Sequence, residues 1–335
     1  MLNCETEVIF DSCWEKLPLL LKGKRTFFVV DKNVHTIYRS FCAQNDVFVF
    51  EGGENNKNLK TVSEIFEFLL SRGADRKSFL VAIGGGITTD TAAFAASTYM
   101  RGIPFALVPT TLLSQVDASY GAKNGVNFQG LKNIIGSFTQ PEFSLIDVSL
   151  LSTLSFEEFL SGLAEVVKSA IIMDGELFAF LEGRTPEQIF SSLEDTSYIV
   201  RSSLDVKRRI VREDPLECSL RRVLNLGHTL AHAIEKACQP FCHGIAVAIG
   251  MKYVLRIAKK KNMISTRDAE RISNLLERYF PMQLPCRVKD VVEAFSFDKK
   301  KNGDKIHLIV PTAVGHVEQL EMNIDELKKI YLDVE

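Results

Sequence analysis

No stretch of this 335-residue chain approaches the roughly 20 consecutive apolar residues that span a bilayer, so no membrane-spanning segment is expected. A basic block of about five or more residues is also missing. With 40 basic and 42 acidic side chains the net charge is −2, which lacks the electrostatic footprint of a nucleic-acid binder. The short runs Lys259–Lys261 and Lys299–Lys301 read as solvated surface. Paired CxxC spacing is absent too. Seven scattered cysteines, an odd number, suggest reduced thiols in a cytoplasm and not a disulfide framework. The opening residues MLNCETEVIFDSCWEK have no apolar core, so no secretory leader is expected.

What is present is a chain that is 46% apolar and 24% charged, long enough for two domains of ordinary size. Over the first 150 residues, compact apolar runs stopped by Asp, Gly or Pro alternate with helical patterns. TFFVVD (26–31), DVFVFE (46–51), SFLVAIGGG (78–86), FALVPTT (105–111) and FSLID (143–147) read as buried strands. VSEIFEFLLSRG (62–73) and DTAAFAASTYMRG (90–102) read as helices. This alternation predicts an α/β fold, an open and mostly parallel sheet with ligands at the C-terminal ends of its strands. Beyond residue 150 the period becomes helical, with one hairpin near the end (KIHLIV, then GHVEQLEM). The expected domains are 1–149 and 150–335, with an active site in the cleft between them.

Three of the six histidines, His228, His232 and His243, fall within sixteen residues. On a helix, His228 and His232 share a face one turn apart, a spacing that suits a divalent metal completed by a carboxylate. Spacing alone leaves open which two of the three bind it. Glu165 and Lys168 stand at i and i+3 among apolar neighbours; a buried functional carboxylate is favoured there over a surface ion pair. Gly84-Gly85-Gly86-Ile87-Thr88-Thr89-Asp90 lies between a strand and a helix, where backbone N–H groups can approach a phosphate. Asp90 could equally be the helix N-cap. The segment from Gln115 to Asn133 is dense in charge, amide and glycine, and reads as a ligand-binding loop. Its lysines, with Arg101 nearby, suit a phosphorylated or carboxylated substrate.

At this point the motifs GGGITTDTAAFAASTYMRGIPFALVPTTLLSQVD, GAKNGVNFQGLKNIIGSF, GLAEVVK, RVLNLGHTLAHAIE and HGIAVAIGM, in that order, resemble the 3-dehydroquinate synthase family. The likeness spans roughly residues 50–315. It implies a Rossmann-like N-terminal domain, a mainly α-helical C-terminal domain, and a homodimer. It also implies that Glu165, His228 and His243 bind zinc or cobalt while His232 faces the substrate. For NAD, Asp31 and Asn33 follow the first cofactor strand, and Glu54 and Lys57 match the pair on the adenosine ribose. Gly86, Ile87, Thr88, Thr89 and Asp90 match the pyrophosphate loop. Thr110, Thr111, Leu150, Leu151, Ser152 and Thr153 match further cofactor contacts.

On the substrate side, Arg101, Asp117, Lys123, Lys132, Asn133 and Lys168 fall on matching positions, as do Lys207, Glu217, Arg221, Asn225 and Lys300. Lys123 and Lys132 also border the cofactor. The implied substrate is a phosphorylated seven-carbon sugar acid. The implied course is hydride transfer from C5 to NAD, phosphate elimination, hydride return, ring opening and aldol closure, with the metal as Lewis acid. Lys123, Lys207 and Lys300 would hold the phosphate.

Some positions depart from the commonest family pattern. GITTD stands for G-x-x-G-D, GAKNG for GGKTG, Ile245 for an acid, and Pro215 for Glu; the loop between His228 and His243 is short. A sister sugar-phosphate cyclase such as 2-epi-5-epi-valiolone synthase is the nearest rival, resembling the chain at TTD and GAK-GVNF-KN. It tends to alter Arg221, Asn225 and His232, which are kept here. A metal- and NAD-dependent alcohol or glycerol dehydrogenase would not need the lysine-rich loop, and a pseudoenzyme would be expected to lose a metal ligand.

Overall fold

A computed structural model describes residues 5–238, 241–284, 286–295 and 305–332. Two compact units are present, Met1–Leu154 and Ser155–Glu335.

In the first unit the strands are β1 (Glu7–Phe10), β2 (Thr26–Asp31), β3 (Val47–Phe50), β4 (Phe79–Gly84), β5 (Phe105–Pro109), β6 (Lys123–Phe128), β7 (Leu131–Phe138) and β8 (Phe143–Ile146). Six of them form one sheet in the order β1-β8-β5-β4-β2-β3, every neighbouring pair parallel. All residues of β4 and β5 are buried, as a parallel sheet covered on both faces requires. The period of two sorts the side chains. Phe27, Val29, Leu80 and Ala82 join the core beneath the helices Leu59–Ser71 and Gly86–Thr98. Phe28, Val30, Val81 and Ile83 join the opposite core, with Cys13 and Leu17 of the helix Cys13–Leu20. The chain leaves β2 for β3, then crosses back to β4 on the other side of β2. The strand order therefore reverses between β2 and β4, the place where such sheets bind ligands.

Three details differ from the sequence reading. The second helix of this unit begins at Gly86 with Gly85 as N-cap, so Asp90 lies inside the helix and does not cap it. Close packing of Gly84 on Thr88 is compatible with that early start. The segment expected as a loop is instead a turn of π-helix, Ser114–Ala118, followed by the β6–β7 hairpin. Gln129 and Gly130 both adopt positive φ, 48° and 78°, a combination that suits a tight hairpin turn. β1, only four residues long, was too short to stand out.

The second unit is mainly helical, with a hairpin of β9 (Lys305–Ala313) and β10 (His316–Asn323). The long helical run expected from Leu154 breaks at Asp174. The Asp174 carboxylate accepts from the N–H groups of Glu176 (3.1 Å) and Leu177 (2.9 Å), ending the helix Phe156–Met173 and capping the helix Gly175–Glu182. The run from Leu224 breaks at Gly227, whose φ of 79° starts a helix at His228. Cys238 and Cys286, 48 residues apart, are joined as a disulfide, against the expectation of reduced thiols throughout; their separation carried no paired-spacing signal.

Two glycines let the helices of this unit approach closely. A Cβ on Gly227 would lie 2.6 Å from Val247 O, and one on Gly244 would overlap Ser161 O. The helix His228–Ala237 thus packs on His243–Lys260, which packs in turn on Phe156–Met173.

Candidate functional site

Those three packed helices converge on the second unit's candidate metal centre. Glu165 and Lys168 sit mid-helix in Phe156–Met173, each only 3% exposed, and their side chains form an ion pair. His228 and His243 are the first residues of their helices, placed there by the Gly227 break and the Gly244 contact. Glu165 Oε1 lies 3.7 Å from His228 Nε2 and 4.0 Å from His243 Nε2. One donor atom from each of the three lies within 4.8 Å of the others. Among the described residues Glu165 Oε1 is buried with no hydrogen-bond partner, which is costly unless a cation satisfies it. An anionic oxygen and two imidazole nitrogens around one point are a donor set that fits zinc or cobalt.

Electrostatics treat the two histidines differently. Burial, then the charge of Lys168 and the neighbouring histidines, pushes His228 well below its ordinary value and favours the neutral, ligating imidazole. For His243, burial alone would lower the value. The Glu235 hydrogen bond and the charges of Glu165 and Glu235 outweigh it and raise the value. His232 is exposed one turn along from His228, their ring centroids 5.8 Å apart.

Elsewhere in the second unit, Lys207 is buried in the helix Leu193–Glu213. Arg221 is buried and donates from Nη1 to Pro215 O at 2.7 Å. Asn225 donates to Glu217 Oε1 at 3.0 Å. A cavity of about 440 Å³ brings Glu217 and Asn225 together with Arg222, Thr229, His307, Ile309 and Gln319. Sequence reasoning passed over Asp214. Its carboxylate accepts from the backbone N–H groups of Cys218 (2.9 Å), Ser219 (2.7 Å) and Arg221 (3.0 Å), and so shapes the loop that carries Glu217 and Arg221. Burial would raise the Asp214 carboxyl, but those donors hold it below the usual range. The only sign in the sequence was an acid before proline in REDP. Lys300 lies outside the described residues.

In the first unit, several expected cofactor residues gather at the reversal of strand order. Asp31 ends β2, caps the short helix Lys32–Ile37 through the N–H of Asn33 (2.9 Å), and accepts from Thr88 Oγ1 at 3.4 Å. Lys57, buried, pairs with Asp90 at 2.6 Å. Asn127 of the hairpin donates to Glu54 Oε1 at 2.8 Å and accepts from Asn133 N at 2.9 Å. The N-terminus of the helix Gly86–Thr98, with Ile87, Thr88 and Thr89 in its first turn, follows β4 directly. Thr88 and Thr89 are buried, so their hydroxyls serve the fold, while the helix N-terminus supplies the anion-friendly backbone.

Thr110 and Thr111 follow β5, and Thr111 Oγ1 lies 2.9 Å from Ser114 Oγ. Asp117 is in the π-helical turn. Leu150, Leu151, Ser152 and Thr153 form a 3₁₀ turn after β8, both leucines buried. Arg101, Lys123, Lys132 and Asn133 are exposed, and Arg101 and Asn133 have positive φ.

A solved structure of 2-epi-5-epi-valiolone synthase from Streptomyces hygroscopicus subsp. jinggangensis, with NAD+ and Zn2+ bound, matches with a TM-score of 0.89. It is 26% identical, over 99% of this chain and 97% of that one. A 2-deoxy-scyllo-inosose synthase, complexed with carbaglucose-6-phosphate, NAD+ and Co2+, matches at 0.88, with 25% identity over 99% and 98%. Fold and donor set thus define a protein of the sugar-phosphate cyclase class. Family models described as the N-terminal and C-terminal parts of 3-dehydroquinate synthase match residues 47–161 and 162–301. A 3-dehydroquinate synthase of Streptococcus thermophilus is 42% identical over 291 residues, covering 86% of this chain and 81% of the relative. The chain belongs to the 3-dehydroquinate synthase family.

Proposed function

We propose that the chain converts 3-deoxy-D-arabino-heptulosonate 7-phosphate to 3-dehydroquinate and phosphate as an NAD- and divalent-metal-dependent carbon–oxygen lyase of the shikimate pathway, working as a cytoplasmic homodimer. The observation that carries this is Glu165 Oε1, buried without a hydrogen-bond partner among the described residues and lying beside His228 Nε2 and His243 Nε2, in a chain whose relatives of the same family are 37–42% identical. The sister cyclases whose structures match stand at 25–26%, which favours the synthase over them.

Glu165, His228 and His243 would hold zinc or cobalt. When bound, the cation supplies Lewis acidity to substrate hydroxyls, and NAD supplies a reversible hydride acceptor. The chain's own residues do the remaining work. Arg221, its guanidinium fastened to Pro215 O, presents a planar fork suited to the substrate carboxylate. Asn225, oriented by Glu217, hydrogen-bonds a hydroxyl. His232, exposed beside His228, exchanges protons with substrate or water. Lys207 and Lys123 supply positive charge for phosphate. In the first unit, Glu54 and Lys57 hold the adenosine ribose, and the N-terminus of the helix Gly86–Thr98 takes the pyrophosphate.

The test is phosphate release by purified, metal-loaded protein with NAD, offered the heptulosonate phosphate and sedoheptulose 7-phosphate in parallel. Turnover of the acid, abolished by EDTA and by His243→Ala, supports the synthase. Turnover of the sedoheptulose sugar alone transfers the assignment to a sister cyclase. Silence with both refutes cyclase activity.

A further inference from the structure

Glu235 has no place in the reading above, yet it is a carboxylate buried at 6% exposure. It lies on the helix His228–Ala237, seven residues after His228 and so two turns along the same face. Its Oε1 is 3.3 Å from His243 Nδ1. A carboxylate taken out of water needs a donor, and an imidazole N–H is one.

The consequence lies on the other side of the ring. With the proton held on Nδ1 by Glu235, the lone pair of His243 is on Nε2, the nitrogen 4.0 Å from Glu165 Oε1. His228 is arranged in the same sense. Its Nδ1 is 3.2 Å from Leu226 O, an acceptor only, which leaves Nε2 toward Glu165 at 3.7 Å. One histidine is thus oriented by a backbone carbonyl that no side-chain substitution removes, and the other by a side chain.

Resting on the metal reading of Glu165, His228 and His243, we infer that Glu235 is a positioning residue for that centre: its carboxylate fixes the ring orientation and tautomer of His243 and makes Nε2 a stronger metal donor. A carboxylate behind a ligating imidazole polarises the N–H bond and increases electron density at the opposite nitrogen. Such partners typically alter metal affinity by about 10–100-fold. Glutamine at 235 retains an acceptor oxygen for Nδ1–H but carries no charge. It should keep ring and tautomer in place while losing part of the donor strength.

The test is competition titration of Co2+ and of Zn2+ against a chromophoric chelator, on full-length wild type, Glu235→Gln and Glu235→Ala. The absorption spectrum of each cobalt-loaded protein and its NAD affinity are read alongside. Expected is a loss of metal affinity of about 10–100-fold in Glu235→Ala. Glu235→Gln should be intermediate with a near wild-type cobalt spectrum, and NAD affinity should be unchanged in both. If both variants bind metal as wild type does, while His228→Ala abolishes binding, the role of Glu235 is refuted and the metal site stands. If Glu235→Gln loses affinity and spectrum as fully as Glu235→Ala, orientation through an acceptor is refuted. If wild type binds no stoichiometric metal, the inference falls together with the metal reading.

Discussion

Lys57 Nζ lies 2.6 Å from Asp90 Oδ2, tying the 3₁₀ turn after β3 to the helix that follows β4. The pair joins the two sides of the point where strand order reverses, so it both braces the first unit and sets the position of a helix N-terminus. Lys57→Met should weaken NAD binding by about tenfold or more, equivalent to roughly 1.4 kcal/mol. Isothermal titration with NAD checks it, and an unchanged affinity would remove Lys57 from the cofactor site.

Removal of metal should act on the second unit's three-helix junction. Among the described residues Glu165 Oε1 has no hydrogen-bond partner, so chelation leaves a buried carboxylate oxygen unsatisfied. EDTA-treated protein should melt at a lower temperature than metal-loaded protein, with activity restored by zinc or cobalt. Glu165→Gln should bind less than stoichiometric metal by elemental analysis. A melting temperature indifferent to metal in wild type would contradict this.

Gly227 should tolerate no side chain. Its φ of 79° and the 2.6 Å approach of a would-be Cβ to Val247 O act together. Gly227→Ala should destabilise the fold by more than about 1 kcal/mol. It should also lower metal affinity, because His228 is the next residue. Denaturant unfolding and metal titration of the same variant check both effects.

Acid stability depends in part on Glu182 and Arg271. Arg271 donates from Nε to the Glu182 carboxylate at 2.9 Å, and this hydrogen bond, against some opposing burial, holds the Glu182 carboxyl below its ordinary value. A depressed carboxyl contributes stability that is present above the unfolded value and is lost as pH falls through the folded one. Wild type should therefore lose stability more steeply than Arg271→Met as pH drops below about 4.5, the ordinary Glu value. The difference near neutrality should be about 1 kcal/mol or less, since both side chains are about one-third exposed. Urea midpoints measured across that range decide it, and parallel curves would rule the pair out.

Much of this protein was determined by local pattern. TFFVVD, FLVAIG and FALVP are apolar runs of strand length between turn residues, and the alternation with helices required a parallel sheet. Histidines and Glu165 amid apolar neighbours marked the centre as chemical before any contact was known. Spacing put His228 and His232 on one helix face, one turn apart, but left open which two of the three histidines meet at the centre. That His243 joins His228 and Glu165 was decided by tertiary packing. Gly227 and Gly244 let three helices from distant parts of the chain touch, and the two candidate ligand histidines begin theirs. The β6–β7 hairpin, the Asp214 loop and the Glu235–His243 contact were likewise decided by structure. Each depends on hydrogen bonds whose partners no local periodicity encodes, since polar groups find their acceptors only once the backbone around them is in place.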